Sequence, residues 1–293
     1  MQACFDFIFL AVNLAVPLVL AAEAAMIAER SGVICLGVEG IMIFGAFFAV
    51  TGSYYTGNPW LGVLLAVAGG ALAGWIYGIF AVTLKGQQVV VGVAVNFFAA
   101  GITPMVTQQI WGSEGASATV NSIDTMDLSK IFGGSTGISW FVFLTILIVA
   151  GMWYFMYKTK YGLRLRMTGD FPLGLQTCGI NTNRYKLWAM TASGILAAAG
   201  GAYLSVGYGN LFVTDMVAGR GYMGVAANIF GGWTPLGGAF AALFFAVVQT
   251  LRYTLTDLEL PSQLMQMLPY LVTLIALVLF GRNSKSPEGL GKL

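Results

Sequence analysis

The sequence predicts an all-α polytopic membrane protein of about eight or nine transmembrane helices, and three observations carry that prediction. Hydrophobic residues make up 58% of the 293, charged residues only 9%, and mean hydropathy is +0.81, whereas a soluble domain carries roughly 25% charge. Apolar runs near 20 residues recur along the chain. That is the length a helix rising about 1.5 Å per residue needs to cross roughly 30 Å of hydrocarbon. The 39 glycines suit helices that must approach closely where lipid supplies no hydrophobic drive.

Taken in order, the spans fall at about 8–28, 34–55, 60–83, 88–110, 138–157, 186–206, 236–255 and 264–281. The first Lys or Arg is Arg30, beyond the first apolar run. That run therefore lacks the charged start of a cleaved signal and is expected to remain as a span. "GRGYMGVAANIFGG" at 219–232 is shorter and bounded by glycines, so it is expected to be a broken or half-length helix, tolerated at membrane depth where it is buried in protein or lines a cavity. If it crosses, eleven of the fourteen Lys and Arg fall on one side, the asymmetry of the positive-inside rule. This places the N-terminus outside and the C-terminus in the cytoplasm. Two small-residue stripes, Gly70/Gly74/Gly78 and Ser193/Ala197/Gly201, are expected to be helix contacts within one bundle, with a subunit interface as the alternative. No internal repeat or low-complexity linker divides residues 1–293, so a single domain is expected.

Composition also excludes chemistry. There is no histidine, which removes the commonest proton shuttle and metal ligand. Cys4, Cys35 and Cys178 are odd in number and widely spaced, giving neither a disulfide framework nor a zinc site. A net charge of +2 is too slight to argue for nucleic acid. "GRGYMG" spells GxGxxG, but the next acid is Asp257, far beyond the spacing of a dinucleotide site. "GLGKL" at 289–293 lacks the upstream glycine and the Ser or Thr of a phosphate loop. The chain is thus not expected to be an enzyme or to hold a cofactor, and a nucleotide driving it would bind elsewhere.

Charges inside spans usually face a bundle interior or water. Glu23 and Glu39 are such groups, near the same end of the first hairpin. They are candidates for a pathway or gate, or for anchoring the hairpin through a shared proton or Arg30 in "ERSG". Asn96 and Asn228 are mid-span amides, able to hydrogen-bond a sugar hydroxyl or a base edge or to tie helices together. Phe97 and Phe98 beside Asn96 offer an apolar wall. The loop 111–137, with Glu114, Asp124 and Asp127 against one Lys, is expected to face outward, as a connector or a docking point.

"KTKYGLRLRMTGDFPLGLQTCGI" at 158–180 breaks the apolar pattern, and six Lys and Arg against one Asp lie in 158–186. Asp170 as N-cap, Pro172 in a first turn and Gly179 at C′ predict a two-turn helix over 171–178 outside the membrane. Such a rigid knob fits a cytoplasmic receptor, as a permease moved by a separate motor requires. The candidate coupling residues are Arg164, Arg166, Gly169, Asp170, Phe171, Pro172, Leu175 and Gly179.

"ERSGVICLGVEGIMIFGAFFAV" (29–50), "GSYYTGNPWLG" (52–62), "YGLRLRMTGDFPLGLQTCGIN" (161–181), "AGRGYMGVAANIFGGWTPLGGAFAALFF" (218–245) and "LPYLVTLIALVLFGR" (268–282) together resemble the permease subunits of bacterial ABC importers for nucleosides and simple sugars, in the wider group of ribose and branched-chain amino acid permeases. The resemblance implies a channel of two permeases, often different ones. It also implies cytoplasmic ATPases that bind ATP and Mg, and an extracytoplasmic binding protein or lipoprotein. By position, Gly169, Asp170 and Gly179 fall in the segment that sits in a groove of the ATPase. The family commonly has Asn-Pro-Arg-Ala after the acid, where this chain has Phe171, Pro172, Leu173 and Gly174. The rival reading is an autonomous ion-coupled transporter using Glu23 and Glu39, suited by its two intramembrane acids and broken helix.

Overall fold

The computed structural model describes residues 2–113, 115–126, 137–254, 271 and 286–291. Ten helices appear among them: α1 Gln2–Arg30, α2 Val38–Thr56, α3 Pro59–Gly78, α4 Gln88–Trp111, α5 Trp140–Lys158, α6 Lys160–Asp170, α7 Pro172–Thr177, α8 Thr182–Ala202, α9 Arg220–Phe230 and α10 Pro235–Thr254. Single π-helical turns extend α3 over Ile79–Thr83 and α8 over Tyr203–Tyr208.

Six helices in the described residues are long and apolar enough to cross a membrane, and Pro235–Leu251 is a shorter apolar one. These match the first seven predicted spans; the eighth, 264–281, lies outside the described residues except for Leu271. Helix α9 has 11 residues, about 16 Å of rise, so "GRGYMG" opens the half-length helix its glycines predicted.

Local chemistry sets the boundaries. Asn58, Ser139, Thr159 and Asn181 each accept a hydrogen bond from the first turn of the helix they precede, and Gly57 and Gly112 end α2 and α4 with left-handed φ of 71° and 74°. Helix α8 packs against α3, α2 and α1, and α1 also carries α9 and α10. The glycine stripe of α3 lies against α8: a Cβ at Gly74 would stand 3.0 Å from Gly194 Cα, and one at Gly78 3.0 Å from Leu187 Cδ2. Gly201 abuts the Met42 carbonyl of α2, and Ser193 Oγ is 3.8 Å from Cys35 Sγ. Both stripes therefore serve packing inside the bundle.

One end of the bundle gathers the 31–37 turn, the 84–87 turn, the start of α8 and the chain's last described residues. There Tyr77, fully buried on α3, places its hydroxyl 2.9 Å from the carbonyls of both Ile34 and Gln88. Gln88 Oε1 accepts from Ile34 N–H at 2.7 Å. Tyr77→Phe should lower stability by about 1–2 kcal/mol, the cost of stranding a buried acceptor, read as a lower melting temperature in detergent. At the other end, the described part of the 111–137 loop is pinned to 206–214 by backbone hydrogen bonds such as Val120 N–H to Asn210 O, 2.7 Å, and Ile123 N–H to Val206 O, 2.8 Å. Asp124 lies on this connector; Glu114 and Asp127 lie outside the described residues.

Candidate functional site

Glu39 sits in the first turn of α2 and caps α9 from across the bundle. Its Oε1 accepts from Gly219 N–H and its Oε2 from Gly221 N–H, both at 2.7 Å. A helix N-terminus presents unpaired N–H groups and the positive end of its dipole, so a carboxylate there is doubly favoured. Gly219 precedes α9 with φ of 80°, and a Cβ at Gly221 would lie 2.6 Å from Glu39 Cα and Oε2. The glycines admit the acid by leaving no side chain in its way.

Asn96 stands beside this cap, eight residues into α4, about 12 Å along its axis. Its Oδ1 accepts from Gly40 N–H at 2.8 Å, and its Nδ2 donates to Leu36 O at 2.9 Å and to Tyr222 Oη at 2.7 Å. Thus α2, α4 and α9 meet at Glu39, Asn96 and Tyr222. The pair Asn96–Tyr222 is partly open, Tyr222 being 48% exposed, and Phe97 and Phe98 flank it at 74% and 61%.

The other two candidates lie elsewhere. Asn228 is fully buried, and its Nδ2 donates to Glu29 Oε2 at 2.8 Å. Trp233 Nε1–H donates to the same oxygen at 2.6 Å. Glu23 is buried, and neither of its oxygens has a hydrogen-bond partner, so it bonds neither Glu39 nor Arg30. Arg30 instead donates from Nε to Trp233 O at 2.7 Å and approaches Asp170 Oδ1 at 3.9 Å. Glu29 escaped the sequence reading because an acid beside Arg30 at a span end reads as a boundary charge. Asn13, which accepts from Tyr203 Oη at 3.3 Å and donates to Gly137 O at 3.0 Å, escaped as one amide among apolar residues.

Within the 158–180 segment lie two helices, α6 and α7, separated at Phe171. Asp170 ends α6 and does not cap α7: the N-cap is Phe171, whose side chain makes no cap hydrogen bond. The Asp170 carboxylate turns to Arg30 instead. Pro172 opens α7, and Gly179 follows it with φ of 76°. Phe171 and Leu173 are 56% and 68% exposed, whereas Leu175 is buried at 6% and Gly169 is buried against Arg30 O. The outward face therefore belongs to Phe171 and Leu173, and Leu175 and Gly169 hold the segment from within. Arg164 donates to Tyr185 Oη at 3.1 Å, and the Arg166 guanidinium lies 4.9 Å from the centre of the Tyr157 ring.

The sequence profile of a family described as "Branched-chain amino acid transport system / permease component" matches residues 7–277. The chain is 32% identical to the guanosine ABC transporter permease protein NupQ of Bacillus subtilis (strain 168), over 94% of this chain and 92% of that protein. It is 31% identical to the nucleoside ABC transporter permease protein NupC of Lactococcus lactis subsp. cremoris (strain MG1363), again over 94% and 92%. A second guanosine ABC transporter permease protein of the same Bacillus, NupP, is 26% identical over 77% of this chain and 68% of its own length.

Proposed function

The chain belongs to the branched-chain amino acid transport system permease family, and from that premise we propose that it is one half of the membrane channel of an ATP-driven importer of nucleosides. It is a multi-pass membrane protein, and its relatives are transport components rather than enzymes. One observation carries the choice of cargo and path: the partly open Asn96–Tyr222 pair, deep in the helices and flanked by exposed Phe97 and Phe98. Polar groups against lipid are costly, so this face meets a second permease and the water path between them. There the Tyr222 hydroxyl, which accepts from Asn96 and keeps its own proton to donate, bonds a sugar or base edge, and the aromatic rings stack on the base. Relatives named for guanosine and nucleoside transport support that class.

The second permease is a different chain, as the presence in one organism of two proteins, NupQ and NupP, both named guanosine ABC transporter permeases, supports. A cytoplasmic ATPase, binding ATP and Mg, engages the exposed side of α7, and an extracytoplasmic binding protein or lipoprotein delivers cargo. The Lys and Arg of 158–186 and the tail 286–291 lie at one end of the bundle, joined by Gly289 N–H to Gly169 O at 2.7 Å. Read with the positive-inside rule, that end is the cytoplasm of a bacterial cell, with the N-terminus outside. An autonomous ion-coupled mechanism through Glu39 is less well supported, because both its oxygens are engaged by backbone N–H groups.

The test is ATP-dependent guanosine uptake into vesicles holding this chain, its cognate second permease and their ATPase. Replacing the exposed residues of 171–178 with Gly and Ser while keeping the buried Leu175 should abolish uptake while leaving the chain inserted and monodisperse. Undiminished uptake in that variant would refute motor-driven transport through this segment.

A further inference from the structure

Helix α9 is fastened at both ends to the same hairpin: Glu39 of α2 holds its N-terminus, and Glu29 of α1 holds Asn228 near its C-terminus. Between those points it is a rod of 11 residues with no slack of its own. The chain leaves α9 through Gly231, Gly232 and Trp233, and Trp233 has φ of 55°. A bulky residue in the left-handed region is strained and persists only where its surroundings determine it. Here they are Glu29, which accepts from the indole, and Arg30, which donates to the Trp233 carbonyl.

Arg30 also reaches outward. Its guanidinium stands 3.9 Å from Asp170, the last residue of α6, with side-chain exposures of 18% and 45%. An ion pair so exposed is weak and easily remade. The same corner is closed by backbone contacts: Gly289 N–H donates to Gly169 O at 2.7 Å and Gly291 N–H to Gly32 O at 3.1 Å. The end of α6 is therefore held to the α1–α2 turn, and that turn holds the exit of α9.

We propose that Trp233, held in its left-handed conformation by Glu29 and Arg30, is the positioning residue through which movement of the Asp170 corner is passed to α9 and so to Tyr222 and Asn96. This rests on the importer reading above. A shift of Asp170 moves Arg30, which moves the Trp233 carbonyl. Because α9 is a rod tied to Glu29 and Glu39, its displacement tilts Tyr222 against Asn96 rather than dissipating in a loop.

Two measurements test this on the full complex with Trp233→Phe, which removes the indole donor and keeps a ring, with Asp170→Asn, and with the double variant. Nucleosides taken up per ATP hydrolysed should fall about fivefold in each single variant. The double variant should be no worse than the worse single, as for residues acting in one linkage. Trp233→Gly, which accepts the left-handed φ without strain, should also uncouple, and it serves where the Phe variant assembles poorly. Independently of any transport, Asp170→Asn should speed amide hydrogen exchange across 219–233. A wild-type complex without ATP-driven uptake would remove the importer reading, and the exchange data would still decide the junction. Unchanged exchange, an unchanged uptake-to-ATP ratio, or multiplying losses in the double variant would overturn the proposal.

Discussion

Glu39→Gln is expected to cut ATP-driven uptake at least about tenfold, while Glu23→Gln leaves it within about twofold; one lost factor of ten corresponds to about 1.4 kcal/mol. The two acids look alike in sequence and differ entirely in what they touch. Each Glu39 oxygen receives a backbone N–H at 2.7 Å. An amide offers one acceptor and turns a donor toward the other N–H. That strands a buried donor and forfeits a charge-assisted bond, at a cost of about 2–4 kcal/mol. With its cap lost, α9 loosens where Tyr222 meets Asn96, so uptake falls with the melting temperature. Glu23 has no hydrogen-bond partner to lose, and Gln is nearly its shape. Uptake and thermal unfolding of both variants, measured side by side, decide the matter. Normal uptake by Glu39→Gln would show that the cap has no part in transport, and collapse of uptake in Glu23→Gln would revive an ionisable site on α1.

What the sequence revealed and concealed follows from the range of the interactions. The spans were legible because hydropathy is local, and α9 because glycines at both ends cut an apolar run short. Gly179 after α7 was legible because a left-handed position selects glycine whatever surrounds it. Asp170 misled for the same kind of reason. An acid before a proline is a good local cap, and only the fold shows that Arg30, 140 residues earlier, draws its carboxylate away. Glu39 was legible as a buried acid but its partners were not, since Gly219 and Gly221 offer only backbone and lie 180 residues on. Glu29 was harder still. The one available signal was a Glu-Arg pair at a hairpin with a Trp between two glycines and a proline in "GGWTP", three polar or bulky groups that a lipid-facing turn would not need. Asn228 and Asn96 read as equivalent amides, yet burial sends one to Glu29 and leaves the other at an open face.

Phe171→Asp combined with Leu173→Asp is expected to stop ATP-driven uptake, by about a hundredfold or more, without lowering the melting temperature of the chain. Both side chains are more than half exposed and flank the start of α7, so charging them costs the isolated fold little. Truncating an apolar anchor at an interface commonly costs about 2–4 kcal/mol, and placing an unpaired charge there costs more. Each 1.4 kcal/mol is tenfold in the docked population. Leu175→Asp must behave in the opposite sense: it buries a charge at a 6% exposed position, and the chain should melt early before any question of docking arises. The contrast separates a surface that receives force from the packing that supports it. ATPase binding to immobilised vesicles, measured beside uptake, completes the test. If the double variant binds its ATPase and transports normally, the outward face of α7 is not where the motor engages, and the cationic α6, with Arg164 and Arg166, becomes the remaining candidate on this segment.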